Sequence, residues 1–180
     1  EYYEAIRTAG PAVNYLTLVG HSSLRLSVMN NLRCAATRSE IQSMCSLLNE
    51  SLEAGAIGLS SGLAYSTAKF AKTEELCSLA KVVGKVGGFY VTHPRSEADG
   101  LIQSVKEGLY IGREGGVPVI FSHHKAAGIA NHGMTKESLA VIERASQHQT
   151  VGLDAYPYSY SSTALTEEKV RRGGKVVITR

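Results

Sequence analysis

The sequence is poor in cysteine, in concentrated charge and in long apolar runs, and each shortage removes a class of protein. Cys34, Cys45 and Cys77 are odd in number and scattered, which fits a reducing cytoplasm better than a disulfide framework. Lys and Arg are dispersed apart from the short stretch 169–175, and the net charge is only +3, so no nucleic-acid footprint stands out. No apolar run approaches the ~20 residues that cross a bilayer, and the opening Glu1-Tyr2-Tyr3-Glu4 is no signal peptide. The chain lacks an initiator Met and stops just after the strand-like Val176-Val177-Ile178. It is therefore expected to be a fragment of a longer protein.

What remains is ordinary material for a folded domain: 180 residues, 43% hydrophobic and 19% charged, enough to build one core. Five short runs, at 15–19, 56–59, 89–92, 117–121 and 150–153, are nearly continuous in apolar or β-prone residues, as strands covered on both faces are. Helix patterns lie between them. Thr37 and Glu40 form a capping box ahead of Ile41, Met44, Leu48 and Leu52, with Gly55 as the stop. Thr73-Glu74-Glu75 opens a second helix through Leu76, Leu79 and Val83. A third runs from about Leu101 to Glu114 and ends at Gly115-Gly116. Thr135 is expected to cap a fourth, which carries Leu139, Ile142 and Ala145.

The order is β-α-β-α-β-α-β-α-β. The runs end at Gly20, Ser60, Thr92, Ser122 and Asp154, roughly 30–40 residues apart, the length of one right-handed strand–helix–strand unit. Two α/β architectures satisfy that order, an open doubly wound sheet and a (β/α)8 TIM-type barrel. No Gly-x-Gly-x-x-Gly follows a strand run, and the near-even period favours the barrel.

Functional side chains of parallel α/β folds gather where strands end. Here those positions hold His21, Ser60-Ser61, His93, Ser122-His123-His124-Lys125 and Asp154 with Tyr156. Four of the six histidines fall on strand ends. His93 and His123 occupy equivalent positions on neighbouring strands, ~4.8 Å apart in a sheet, so their imidazoles are expected to converge on one metal ion. Imidazole suits zinc, iron, cobalt and nickel. Two ligands do not complete a catalytic zinc site, which takes three protein ligands and a water.

Several segments resemble one family. They are Leu18-Val19-Gly20-His21 with Leu24-Arg25, Ala56-Ile57-Gly58-Leu59-Ser60-Ser61-Gly62-Leu63-Ala64-Tyr65, Tyr90-Val91-Thr92-His93-Pro94-Arg95, Phe121-Ser122-His123-His124-Lys125 and Leu153-Asp154-Ala155-Tyr156-Pro157-Tyr158. In unbroken order across residues 5–170, they are similar to the N-acyl-D-amino-acid deacylases of the amidohydrolase superfamily. The resemblance implies a partial (β/α)8 barrel in which the five runs are strands three to seven. Strands one, two and eight and the small β-domain would lie outside residues 1–180.

The resemblance also implies zinc, held in the family by a His-x-His pair, a Cys, two histidines and an Asp. Only the two histidines fall here, on His93 and His123. It places substrate contacts on Tyr65, Lys125, Tyr156 and Ser162, with Lys125 suited to a carboxylate and Tyr156 to a developing oxyanion. The bland alternatives are a solvated loop lysine and aromatic packing over the barrel mouth. His21 and His124 read as supports of the fold or of a ligand imidazole, and the three cysteines as buried or half-buried thiols. Two departures bear on substrate preference: Pro94 stands where relatives have Met, and Tyr65-Ser66-Thr67 lacks a Pro often found after that tyrosine.

The implied activity is zinc-dependent hydrolysis of the amide of small N-acyl-D-amino acids in the cytoplasm, without nucleic-acid or membrane partners. Two other readings stay open. One is a noncatalytic remnant whose open barrel edges favour self-association; the other is a different amidohydrolase reaction, such as cyclic-amide opening.

Overall fold

All five apolar runs form strands, and every strand pairs in parallel with its successor in the chain. The computed structural model describes residues 2–163 and 170–171. Its elements are α1 Tyr2–Ala9, β1 Leu18–Gly20, α2 His21–Val28, α3 Arg38–Glu53, β2 Gly58–Gly62, α4 Thr73–Gly84, β3 Phe89–His93, α5 Leu101–Gly115, β4 Val119–Phe121, a 3-10 turn Ile129–Asn131, α6 Met134–Ser146 and β5 Val151–Leu153. The sheet order is β1-β2-β3-β4-β5. A doubly wound sheet reverses its strand order at a switch point. This one never does, so the singly wound, barrel-type arrangement holds.

Register separates the two faces of the sheet. Leu59, Tyr90, Val119 and Val151 share one level, and Ser61, Thr92 and Phe121 another. Among these, Leu59, Tyr90, Val119 and Phe121 are fully buried. They pack in one cluster with Met44, Leu48, Leu76, Leu79, Val105 and Ile111 of the helices. The alternate positions Ser60, Val91, His93 and Ile120 are half-buried. Because strand side chains alternate, His93 lies on this second face, opposite the helical core.

Local chemistry explains where the helices begin and stop. Thr37 and Glu40 form the expected capping box on α3. Gly116 ends α5 at φ 65°, a left-handed turn that suits a residue without Cβ. Close packing explains other glycines on α5. A Cβ at Gly112 would lie 2.0 Å from Val119 Cγ2, and one at Gly108 2.7 Å from Phe121 Cε1. The helix therefore sits tightly on β4.

Four details differ from the sequence expectation. Strand β1 starts only at Leu18, and Leu16 is 74% exposed. Helix α2 follows β1 directly, although its sequence HSSLRLSV has no apolar helical stripe. Its buried face is His21, Leu24 and Arg25, two of them polar. Helix α6 starts at Met134 behind Gly133, so Thr135 lies inside it and caps nothing. Cys34 is exposed, while Cys45 is half-buried and Cys77 buried; Cys34 lies in the short loop after α2, outside the core.

Candidate metal centre

The carboxyl ends of β3 and β4 bring two imidazoles together. His93 is the last residue of β3, and His123 follows β4 by two residues. His93 Nδ1 and His123 Nε2 are 2.9 Å apart, with ring centroids at 4.6 Å in an edge-on arrangement. Two Zn–N bonds of ~2.05 Å at a tetrahedral angle would set the nitrogens ~3.3 Å apart. A few tenths of an ångström of opening therefore fits an ion between them. His93, Glu97 and His123 also form the one group of potential ligands found among the described residues.

His123 is held in an uncommon backbone conformation. Its φ is 43°, the only positive value at a non-glycine residue among those described. Such strain costs ~1–3 kcal/mol, persists only where surroundings over-determine it, and clusters at functional sites. The restraints here are Asp154 Oδ1, which accepts the His123 backbone N–H at 2.6 Å, and Asp154 O, which accepts the His124 N–H at 2.7 Å.

Glu97 and Lys125 close around the far side of the His123 ring. Glu97 Oε1 lies 2.8 Å from His123 Nδ1, and Lys125 Nζ lies 2.5 Å from the same oxygen. Lys125 also donates to the His123 carbonyl at 2.8 Å. Its ammonium stands 5.4 Å from the centre of the Tyr156 ring, within cation–π range. The Tyr156 hydroxyl is buried and has no hydrogen-bond partner among the described residues.

Tyr65 covers His93 from the loop after β2, with ring centroids 4.9 Å apart. Gly62 makes this approach possible, because a Cβ there would meet Tyr65 Cδ2 at 2.5 Å. Two arginines hold that loop. Arg25 Nε donates to Thr67 O at 2.9 Å, and Arg95 Nη1 and Nη2 donate to Lys69 O and Ala71 O at 2.9 and 3.0 Å. Each arginine is locked by a helical carboxylate. Arg25 Nη1 reaches both oxygens of Glu75 at 2.7 Å, and Arg95 pairs with Glu107 at 2.9 Å. The bond to Glu107 holds the Arg95 guanidinium above its ordinary value. Burial alone would push the Glu75 carboxyl up, but hydrogen bonds from His21 and Arg25 outweigh it and hold the group below its ordinary value.

Beneath the site, Ser61 Oγ bonds Tyr90 Oη at 2.6 Å and Thr92 Oγ1 at 2.9 Å. Burial pushes the Tyr90 hydroxyl up to about 12, so the phenol keeps its proton in this network. His124 turns to α6, where Nε2 meets Ser138 Oγ at 2.8 Å, and burial holds its imidazole below the ordinary value. His21 is fully buried against Glu75. Both therefore sit in the packing of the fold, as expected.

Of the residues singled out in the sequence, the structure brings His93, His123, Lys125, Tyr65 and Tyr156 together. Ser162 is exposed, and no contact between it and the cluster is seen among the described residues. Glu97 was not anticipated, and Asp154 was noted only as a polar strand end. No spacing signal pointed to Glu97, which meets Lys125, four residues beyond the end of β4, only across the gap between strand ends.

Comparison with known proteins bears out the family resemblance. The chain is 43% identical over 179 residues to a D-aminoacylase of Alcaligenes xylosoxydans xylosoxydans, covering 99% of this chain and 37% of that protein. It is 42% identical over 180 residues to an N-acyl-D-aspartate deacylase of the same organism, covering 99% and 36%. Among solved structures, a crystal structure of D-aminoacylase superposes with a TM-score of 0.85 at 49% identity, over 87% of this chain and 33% of that one. N-acyl-D-glutamate deacylase from Bordetella bronchiseptica, complexed with zinc and a phosphonate mimic of the reaction tetrahedral intermediate, superposes at 0.90 with 42% identity, over 94% and 36%. No family model matches. The chain thus spans little more than a third of the curated relatives' length. No helix among the described residues is long and apolar enough to cross a membrane.

Proposed function

We propose that this chain, a homologue of the D-aminoacylases and of the N-acyl-D-aspartate and N-acyl-D-glutamate deacylases, supplies strands three to seven of a zinc-dependent amidohydrolase barrel. The whole protein then hydrolyses the amide of N-acyl-D-amino acids, adding water across the C–N bond to give a carboxylate and a D-amino acid. The observation that carries this reading is the convergence of His93 Nδ1 and His123 Nε2 to 2.9 Å, with Tyr65 against His93, and Lys125 against His123 and the Tyr156 ring.

His93 and His123 would hold the zinc. Bound there, zinc supplies Lewis-acid chemistry that polarises the scissile carbonyl. The Tyr156 hydroxyl, buried with no hydrogen-bond partner among the described residues, would donate to oxygen charge that develops at the reacting carbon, where a preorganised donor is most effective. Lys125 binds the substrate carboxylate as a point charge and sits beside the Tyr156 ring, which fixes carboxylate and carbonyl relative to one another. Tyr65 forms the wall over His93, and Ser162 is assigned to the carboxylate end.

A panel of N-acyl-D- and N-acyl-L-amino acids, hydantoins and dihydropyrimidines tests this, together with zinc analysis. The expected result is turnover of the linear D-substrates, with His93→Ala losing zinc and activity together. Turnover of cyclic amides alone, or full activity in zinc-free His93→Ala protein, would overturn it.

A further inference from the structure

Tyr65 is 41% exposed, so burial contributes little to keeping its ring against His93. Its backbone is held more firmly. The Tyr65 carbonyl accepts the N–H groups of Ala68 and Lys69 at 3.0 and 2.8 Å, which folds residues 65–69 into a tight turn. The Lys69 carbonyl in turn accepts Arg95 Nη1 at 2.9 Å, and the Ala71 carbonyl accepts Arg95 Nη2 at 3.0 Å. One guanidinium therefore reaches the aromatic cover through a single residue, Lys69.

Arg95 is itself fixed from two sides. Its backbone stands two positions beyond His93, the last residue of β3. Its Nε and Nη2 donate to Glu107 Oε2 and Oε1 of α5, both at 2.9 Å. Glu107 Oε1 also accepts Thr73 Oγ1 at 2.8 Å, where the loop enters α4. Arginine presents its N–H donors in a rigid planar fork, and here the fork spans two carbonyls and two carboxylate oxygens. Lysine, with one nitrogen on a flexible stem, does not reproduce it. Arg25 grips the same loop at Thr67 O, but it also donates to Cys34 O and to Glu75 from full burial, so it holds the fold as a whole.

We propose that Arg95 is a positioning residue for the site: it fixes the loop at Lys69 and Ala71 so that the Tyr65 ring stays over His93. The inference rests on reading His93 as a metal ligand and Tyr65 as a wall of the substrate site. His93 and Arg95 share one strand end, so the imidazole and the clamp on its cover are placed by the same stretch of backbone. Reacting geometry is sensitive to such placement, and a shift of ~1 Å can cost about 100-fold in rate.

The test compares the parent whole protein with Arg95→Lys, Tyr65→Ala and the double variant. Arg95→Lys keeps a cation beside Glu107, and circular dichroism melts report whether each protein folds. Arg95→Lys is expected to lower kcat/KM for N-acyl-D-amino acids about 10–100-fold. Adding Tyr65→Ala to it should cost less than about twofold more, because residues that act as one unit are not additive. NMR of the His93 ring reads the same contact without substrate. Its ring-proton resonances, displaced by the Tyr65 ring in the parent, should move in Arg95→Lys toward their Tyr65→Ala positions. Losses that multiply in the double variant, or parent-like His93 resonances in Arg95→Lys, would overturn the proposal. Failure of the parent to turn over any N-acyl-D-amino acid overturns the proposed function instead, and the His93 resonances then decide the clamp. Should Arg95→Lys not fold, Glu107→Gln, which loosens the guanidinium from behind, takes its place in the same comparison.

Discussion

Asp154 grips the backbone of His123: its Oδ1 accepts the His123 N–H at 2.6 Å, across from the end of β4 to the end of β5. The same aspartate continues the ladder, donating its own N–H to Phe121 O at 3.1 Å. A charge-assisted bond of this kind contributes ~1.5–3 kcal/mol, comparable with the cost of a left-handed residue. The conformation at φ 43° is thus held by a neighbouring strand.

Asp154→Ala should therefore let His123 relax toward ordinary φ and swing its ring out of register with His93. A fall in zinc affinity of about tenfold is expected, read by chelator competition. Asp154→Asn keeps an acceptor oxygen and should lose only a few-fold. Equal affinity in all three proteins would show that the backbone grip is irrelevant to the ligand.

The second prediction concerns Glu75, whose side chain is 1% exposed against Arg25 at 0%. Removing one partner of a buried pair leaves a charge uncompensated, at a cost of roughly 3–5 kcal/mol, so Glu75→Gln should lower the urea midpoint accordingly. Glu75 is held below its ordinary 4.5. Its contribution is then complete above the unfolded value and is lost as pH falls through the lower folded value. Stability of the parent should drop on acidification below about pH 4.5, and Glu75→Gln should flatten that part of the profile. A parallel profile in the variant would count against this assignment.

Thiol labelling should follow exposure and thiolate supply, since the thiolate is the nucleophile. Cys34 is exposed. Burial raises Cys45 and pushes Cys77 up to about 11. Iodoacetamide at pH 8, followed by peptide mass spectrometry, should modify Cys34 first, Cys45 slowly and Cys77 only on unfolding. Early labelling of Cys77 would contradict the packing of α4.

Gly112→Ala should destabilise by about 1–3 kcal/mol, the usual range for overpacking, because its Cβ would meet a stiff β-branched residue, Val119. Urea denaturation reads this directly. Unchanged stability would mean that α5 can lift from β4 freely.

Strands and their order were legible in the sequence because parallel strands announce themselves as short apolar runs at even spacing. Helix α2 was not, because its buried face is His21, Leu24 and Arg25, and polar residues satisfied by a distant glutamate leave no hydrophobic period. Capping at Thr37 was legible and at Thr135 misread, since Gly133 opens α6 through backbone conformation. Lys125 and the two histidines stood out as chemistry-bearing types at strand ends. The contributions of Glu97 and Asp154 depend on which atom lies across the gap from which. Register fixes that, and no spacing along one chain reveals it.

Gly62 pairs with His93 across the sheet and lies directly under the Tyr65 ring. How closely the Tyr65 ring approaches His93 is consequently written into a position that has no side chain. Any larger residue there would lift the aromatic roof. Access to the imidazole would then change without any change in the residues that line it. The shape of this site can drift through its floor while its walls stay constant.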